Sequence, residues 1–275
     1  MTIKSVLLGL VIEEDTSIVR ASVNYAVSLA AAENAHLTII VGVPVLKAPS
    51  GVIIPQVREL LVAANLDRKQ SAETLSAQIH ATAAGVVVAD EIIQASYLAV
   101  RDRLVSAARV ADLIVLPQPE SALSNELDVF QAILFGSGRP VLMVPRKWEA
   151  PATWRRITIG WDGGTSAARA VGDAMPFLEK ADEVEIVCVA PDKAKTIAGG
   201  ELAAHLARHC NSVRITELPP LDGDVAKAFR HHAKLMRADM RVMGAYGHSR
   251  LWEMVLGGVT RDMLKHADAP VFFSH

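Results

Sequence analysis

Cysteine is scarce in this chain, with only Cys188 and Cys210 in 275 residues. Two cysteines make no disulfide framework, so a stapled secreted scaffold is excluded and a reducing compartment is the default. Net charge is also small, at −2. A partner such as nucleic acid usually leaves a basic excess on the protein that binds it, so no nucleic-acid role is expected. Long apolar runs are missing too. The first such stretch, Val6 to Ile12, is stopped at once by Glu13-Glu14-Asp15. It is too short to span a membrane and lacks the small-residue site of a cleaved signal. A cytoplasmic address follows by elimination. Apolar side chains are plentiful, at 51% of the residues, enough for one large core or two small ones.

An internal repeat decides between one core and two. Ser5-Val-Leu-Leu-Gly-Leu10 and Arg156-Ile-Thr-Ile-Gly-Trp161 both read as short buried strands. Thr16-Ser17-x-x-Arg20-Ala21 follows the first, and Thr165-Ser166-x-x-Arg169-Ala170 the second. Each leads into an Ala-rich amphipathic segment, near Val19 to Ala32 and Ala168 to Lys180. Ala111-Asp112-Leu-Ile-Val-Leu116 is echoed by Ala238-Asp239-Met-Arg-Val-Met243, and Arg139-Pro140-Val-Leu-Met-Val144 by Ala269-Pro270-Val-Phe-Phe273. The expected organisation is two copies of one unit, residues 1–147 and 154–275, joined by a linker near Pro145 to Trp154. In each copy nearly continuous apolar runs alternate with helix-length segments, which predicts a five-stranded parallel sheet flanked by helices. In the second copy the strands are expected near 156–161, 184–189, 213–218, 239–243 and 270–274. The first copy also predicts a long helix, Val57 to Ala84, with Leu60, Leu61, Ala64, Leu75 and Ile79 on a helical period. A Pro-containing apolar loop, Pro44 to Pro55, precedes it.

Chemistry gathers in the second copy. The run Gly244-Ala-Tyr-Gly247, then Gly257-Gly258-Val-Thr260, follows an apolar strand and opens onto a helix-like segment ending near His266. Glycines at a strand's carboxyl end let the backbone approach a ligand, and the N–H groups opening the next helix hold an anion. The first strand of this copy ends at Trp161-Asp162-Gly163-Gly164. In a doubly wound sheet the ends of strands one and four lie side by side at the switch point, where ligands bind. Asp162 there either accepts hydrogen bonds from an adenine amine or ribose hydroxyl, or serves as a turn and cap residue ahead of Thr165.

The repeat order, Asp162, Gly223-Asp224 and Met243-Gly244-x2-Gly247-x9-Gly257 together resemble the universal stress protein family, and the full chain resembles a tandem member. That resemblance implies two flavodoxin-like or Rossmann-like domains and an adenine nucleotide (ATP, ADP or AMP, with Mg as the companion of ATP) in the C-terminal domain. It also implies a role in stress response or signalling. Carried over by motif, Asp162 holds the adenosine end, and Val189 or the adjacent Ala190 lines the adenine pocket. Gly244 and Gly247 approach ribose and phosphate, while Gly257, Gly258 and Thr260 hold phosphates.

One position departs from the family pattern. ATP-binding members usually carry Ser or Thr directly after the third motif glycine, where this chain has Gly258. One hydroxyl is lost, while Thr260 and the backbone N–H groups remain. A lost hydrogen bond to a charged group costs about 1.5–3 kcal/mol, roughly ten- to a hundredfold in affinity.

The first copy departs further. Pro117 and Glu120 stand where the second has Gly244 and Gly247, and Val11-Ile12-Glu13 follow its first strand in place of an aligned Asp. Pro117 removes a donor and Glu120 repels phosphate. Gly136-Ser137-Gly138 reads as a turn into the strand at Val141. This copy is expected to be a structural partner. The last strands, Val141–Val144 and Val271–Phe273, are edges that need covering. The resemblance implies that the copies pair through them as an intramolecular pseudo-dimer, with a homodimer through edge strands as a further partner.

Other residues carry less. His205 and His209 lie four apart beside Cys210, with His231-His232 downstream, but zinc needs a third ligand and a second shell, so solvent-facing histidines are the simpler reading. His248-Ser249 has neither a nucleophile elbow nor an orienting acid. No metal-binding acid or water-activating base accompanies the glycine loop, so any ATP hydrolysis is slow at most. Two function classes stand: a nucleotide-binding stress or signalling protein, and an interaction scaffold of the same fold without a nucleotide.

Overall fold

The computed structural model describes residues 2–12, 16, 19–48, 55–121, 124–190, 199–245 and 257–275. Its first half runs β1 (Ser5–Val11), α1 (Arg20–Glu33), β2 (His36–Pro44), α2 (Pro55–Thr82), β3 (Val88–Ala95), α3 (Tyr97–Ala108), β4 (Leu113–Pro117), α4 (Asn125–Gly136) and β5 (Val141–Val144). The second half repeats the order as β6 (Arg156–Gly160), α5 (Thr165–Leu178), β7 (Glu183–Val189), α6 (Gly200–Leu206), β8 (Val213–Leu218), α7 (Val225–Leu235), β9 (Met240–Gly244), α8 (Gly258–His266) and β10 (Val271–Ser274).

The apolar runs become strands because their side chains are buried on both faces. Every residue of β4, β5 and β10 is buried. At the sheet edges β3 and β8 burial drops and charged residues enter. Helix starts follow local chemistry: Ser96, Ser124 and Asp224 cap α3, α4 and α7, each accepting a backbone N–H from the first turn. The long helix appears as read, yet its periodic residues divide. Leu75 and Ile79 are buried, whereas Leu60 is 70% exposed, so only the C-terminal part of α2 packs on the sheet.

All ten strands form one sheet, ordered β3-β2-β1-β4-β5-β10-β9-β6-β7-β8. Pairing is parallel within each half. The halves meet where β5 and β10 pair antiparallel, Val271 opposite Met143 and Phe273 opposite Val141. This is the intramolecular pseudo-dimer, and it carries a consequence for the homodimer expectation. The seam consumes both strands singled out as edges, which leaves β3 and β8 as the sheet's outer strands.

Two apolar layers flank the sheet, α1, α2, α5 and α6 on one face and α3, α4, α7 and α8 on the other, and each draws residues from both halves. Phe130 and Phe273 meet edge to face across the seam at 5.6 Å. Lys180 donates to the buried Glu33 at 2.6 and 2.7 Å, and the Ala152 N–H donates to Ser28 Oγ at 2.8 Å. Among the described residues no helix is long and apolar enough to cross a membrane.

Candidate functional site

Strands β6 and β9 are neighbours, with Gly160 opposite Met243. The helix after β6, α5, lies on one face of the sheet, and the helix after β9, α8, lies on the other. The carboxyl ends of β6 and β9 therefore flank the switch point, where a doubly wound sheet opens a crevice. Asp162 and Gly244 both stand there, as the spacing predicts.

Each has a local structural task as well. Asp162 is exposed, and its Oδ1 accepts the Gly164 N–H at 2.8 Å, closing a turn into α5. Gly163 within that turn has φ +76°, a conformation that favours glycine. Gly244 is a glycine for a packing reason: a Cβ there would lie 2.4 Å from the Ala167 nitrogen and 2.5 Å from the Ser166 carbonyl carbon. The first turn of α5 rests directly on the end of β9.

Val189 ends β7 on the other side of β6 and is buried, with the next residue's N–H bonded to the Leu218 carbonyl at 3.3 Å. Its side chain belongs to the layer under α7 and α8, together with Phe229, Met243 and Ala245. Gly257 caps α8 and Gly258 is its first residue. Nothing described lies within 4 Å of a Cβ built on either glycine, in contrast to Gly244. Thr260, in the first turn, is buried. Gly247, His248, Ser249 and Trp252 lie outside the described residues, as does the stretch 49–54 of the Pro44–Pro55 loop.

The matching place in the first half is filled by the protein itself. Glu126 sits in the first turn of α4, behind the Ser124 cap. Its Oε2 accepts the Glu120 N–H at 2.8 Å and an Arg146 guanidinium N–H at 2.5 Å. Arg146 Nε also donates to the Gln118 carbonyl at 2.9 Å. A carboxylate of the chain thus occupies a helix N-terminus, where positive partial charge favours an anion. Sequence reading named Glu120 as the repelling residue and missed this arrangement. The available signal was an acid at the second position of a Ser-capped helix, with Arg146 twenty residues downstream. The α8 N-terminus is different: its first turn carries no acid, and no side chain among the described residues caps it.

The remaining candidates resolve simply. His205 and His209 are exposed and their rings lie 5.1 Å apart. His209 Nδ1 is 3.9 Å from Glu179. Among the described residues no three His, Cys, Asp or Glu side chains gather as a metal site. Both cysteine thiols are free and buried, and burial pushes each above its ordinary value, with a nearby glutamate adding to the rise. Gly136-Ser137-Gly138 is the turn from α4 to β5, with Gly138 at φ +67° and Ser137 Oγ accepting the Arg139 N–H.

Residues 153–275 match the universal stress protein family. No curated protein matches the chain. Among solved structures, a universal stress protein from Archaeoglobus fulgidus is 16% identical, with 97% of this chain and 95% of that chain aligned at a TM-score of 0.70. A functionally unknown protein from Pseudomonas aeruginosa is also 16% identical, with 98% and 92% aligned at a TM-score of 0.52. At that identity the likeness speaks for the fold, and it does so along the whole chain.

Proposed function

Residues 153–275 being a universal stress protein domain, we propose that this domain binds an adenine nucleotide at its switch point and that the chain works as a stress-response or signalling protein. Phosphate sits at the N-terminus of α8, held by the N–H groups of Gly257 and Gly258 and by Thr260, and Gly247 is assigned to ribose and phosphate by its motif alone. Asp162 receives the adenosine end, Val189 lines the adenine pocket, and Gly244 lies at the ribose. Magnesium accompanies ATP if the triphosphate is the ligand. Residues 1–147 form the partner domain.

The observation that carries this reading is the contrast between two helix N-termini. The α4 terminus is occupied by Glu126 and Arg146, whereas α8 begins with two glycines and neither an acid nor a described side-chain cap. A helix N-terminus whose first turn carries no acid favours a ligand of negative charge.

A second reading, an interaction scaffold of the same fold without a nucleotide, draws on Gly244 and Asp162. The α5 backbone accounts for the glycine, and the turn into α5 accounts for the carboxylate.

Isothermal titration of the purified protein with ATP, ADP and AMP separates the two. Saturable heat is expected on the first reading. Absence of heat and of thermal stabilisation at millimolar nucleotide leaves the scaffold. Mass spectrometry of small molecules released from the purified protein identifies which nucleotide it carries. If Asp162→Ala leaves a measured affinity intact, the site assignment is wrong even though the ligand is right.

A further inference from the structure

The second half holds a row of charge where a sheet ordinarily holds only apolar side chains. Arg241 of β9 stands opposite Thr158 of β6, and Thr158 stands opposite Glu185 of β7. Their chain neighbours, Ile157, Ile159, Val184, Ile186, Met240 and Val242, all join the layer under α5 and α6. Alternation therefore sends Arg241, Thr158 and Glu185 to the opposite face, beneath α7 and α8. All three are buried, with relative exposures of 1%, 2% and 4%.

The ends of this row are partnered and its middle is not. Arg241 donates to Asp268 beyond α8. Glu185 Oε1 accepts Thr216 Oγ1 at 2.5 Å and lies 3.0 Å from Nε2 of His232 on α7. Arg241 Nε and Nη1, Thr158 Oγ1 and Glu185 Oε2 are buried with no hydrogen-bond partner among the described residues. Burial pulls the Arg241 guanidinium below its ordinary value, against the raising pull of Asp268. Buried polar groups are nearly always satisfied, so several in one row call for a common explanation.

The first half supplies an internal control. By the repeat, Thr158 corresponds to Leu7 and Arg241 to Ile114, and Leu7 again stands opposite Ile114. Those two are buried and fully apolar, at 1% and 0% exposure. Two of the three positions are thus packed by apolar side chains, and the third, matching Glu185, is the uncharged, half-buried Thr38 opposite Leu7. Replacing buried ionic groups by well-packed apolar ones is often neutral or stabilising, so burial alone gives no reason to keep the row.

We propose that Arg241, Thr158 and Glu185 hold enclosed water, forming a hydrated polar rung inside the second half. The donor set selects the ligand. Two guanidinium N–H groups need acceptors, Glu185 Oε2 needs a donor, and the Thr158 hydroxyl serves as either. An anion would face the Glu185 carboxylate and a cation would face Arg241. Water alone meets both ends, and internal waters characteristically bridge about three such groups. The rung links β9, β6 and β7, continues through His232 to α7, and is independent of nucleotide binding.

The test is a crystal structure of the full chain at a resolution that shows ordered solvent. At least one water is expected within hydrogen-bond distance of both Glu185 Oε2 and an Arg241 guanidinium nitrogen, or reaching one of them through Thr158 Oγ1. A direct Arg241–Glu185 contact, or a rung closed without solvent, overturns the proposal. In solution, water-to-amide cross-relaxation at the Thr158 and Arg241 N–H groups should report long-lived water, and its absence counts equally against the idea. A Thr158→Leu/Arg241→Ile variant, which carries the first half's own residues, should keep its far-ultraviolet spectrum and lose that signal. A signal unchanged in the folded variant places the water elsewhere and refutes the assignment.

Discussion

Replacing Gly244 by alanine separates a glycine kept for packing from one kept for a ligand. The new methyl carbon would meet the Ala167 nitrogen at 2.4 Å, the Ser166 carbonyl carbon at 2.5 Å and the Ser166 oxygen at 2.8 Å. Ordinary contact begins at 3.4 Å, so the first turn of α5 must retreat by about 1 Å, an overpacking that costs about 1–3 kcal/mol. No side-chain rotation relieves it, because the atoms struck are backbone. For a chain of this size each kcal/mol lowers the melting temperature by about 2–4 °C, which places the Gly244→Ala variant about 4–8 °C below the parent for a mid-range cost. Gly258→Ala is the matched control. Its methyl meets no described residue within 4 Å, and alanine in the first helical turn should add about 0.4–1 kcal/mol by reducing the freedom of the unfolded chain. Thermal unfolding followed by circular dichroism compares the three proteins without any ligand. If the Gly244→Ala variant melts at the same temperature as the parent, the packing account of this glycine is wrong.

The seam and two local sites give further expectations. Phe273→Ala removes a buried ring that meets Phe130 across the halves, and should cost about 3–5 kcal/mol. Calorimetry should still show the halves melting together, and a split endotherm would contradict a shared core. Lys180→Met leaves the buried Glu33 carboxylate without its cation across the halves, and should cost about 1–3 kcal/mol in denaturant unfolding, more than Glu33→Gln. Hydrogen bonds from Ser76 and His80 hold the Asp90 carboxyl below its ordinary 3.8. Its contribution is therefore complete above pH 3.8 and fades as pH falls through the lower folded value, so Asp90→Asn should flatten the acid limb of the stability curve. An unchanged limb argues against that pair. The thiols of Cys188 and Cys210 should react with a disulfide reagent at pH 8 only after denaturation, being buried and raised.

The fold was legible because its signals are strong and repeated. Buried parallel strands read as uninterrupted apolar runs, and their recurrence after the same Thr-Ser-x-x-Arg-Ala signature fixed the order of elements. That Val141–Val144 and Val271–Phe273 need covering was legible for the same reason, since both are apolar strands that end their units. That each covers the other came from the family resemblance. The candidate site was legible in outline. Asp162 and Gly244 stand at adjoining strand ends, but their local bonds, to the Gly164 N–H and against the α5 backbone, depend on how that helix lands. Spacing does not encode the landing. The Glu126–Arg146 pair was missed because its members lie on α4 and beyond β5, and only the fold brings them to one loop. The Arg241–Thr158–Glu185 row was equally hidden. Each residue is a single polar break in an apolar strand, and their alignment appears only in the register between strands.

The antiparallel seam also sets a timetable for synthesis. When β5 leaves the ribosome its partner does not yet exist, for β10 follows roughly 130 residues later, about 6–25 s at ordinary translation speeds. During that interval the nascent first half shows a bare apolar strand whose complement is the last strand of the second half. The same strand on another nascent chain is the nearest substitute, so crowded translation favours pairing between chains. A chain cut before Val271 would keep that strand uncovered for its lifetime. The place where the two units become one molecule is therefore the last to be completed as the polypeptide grows.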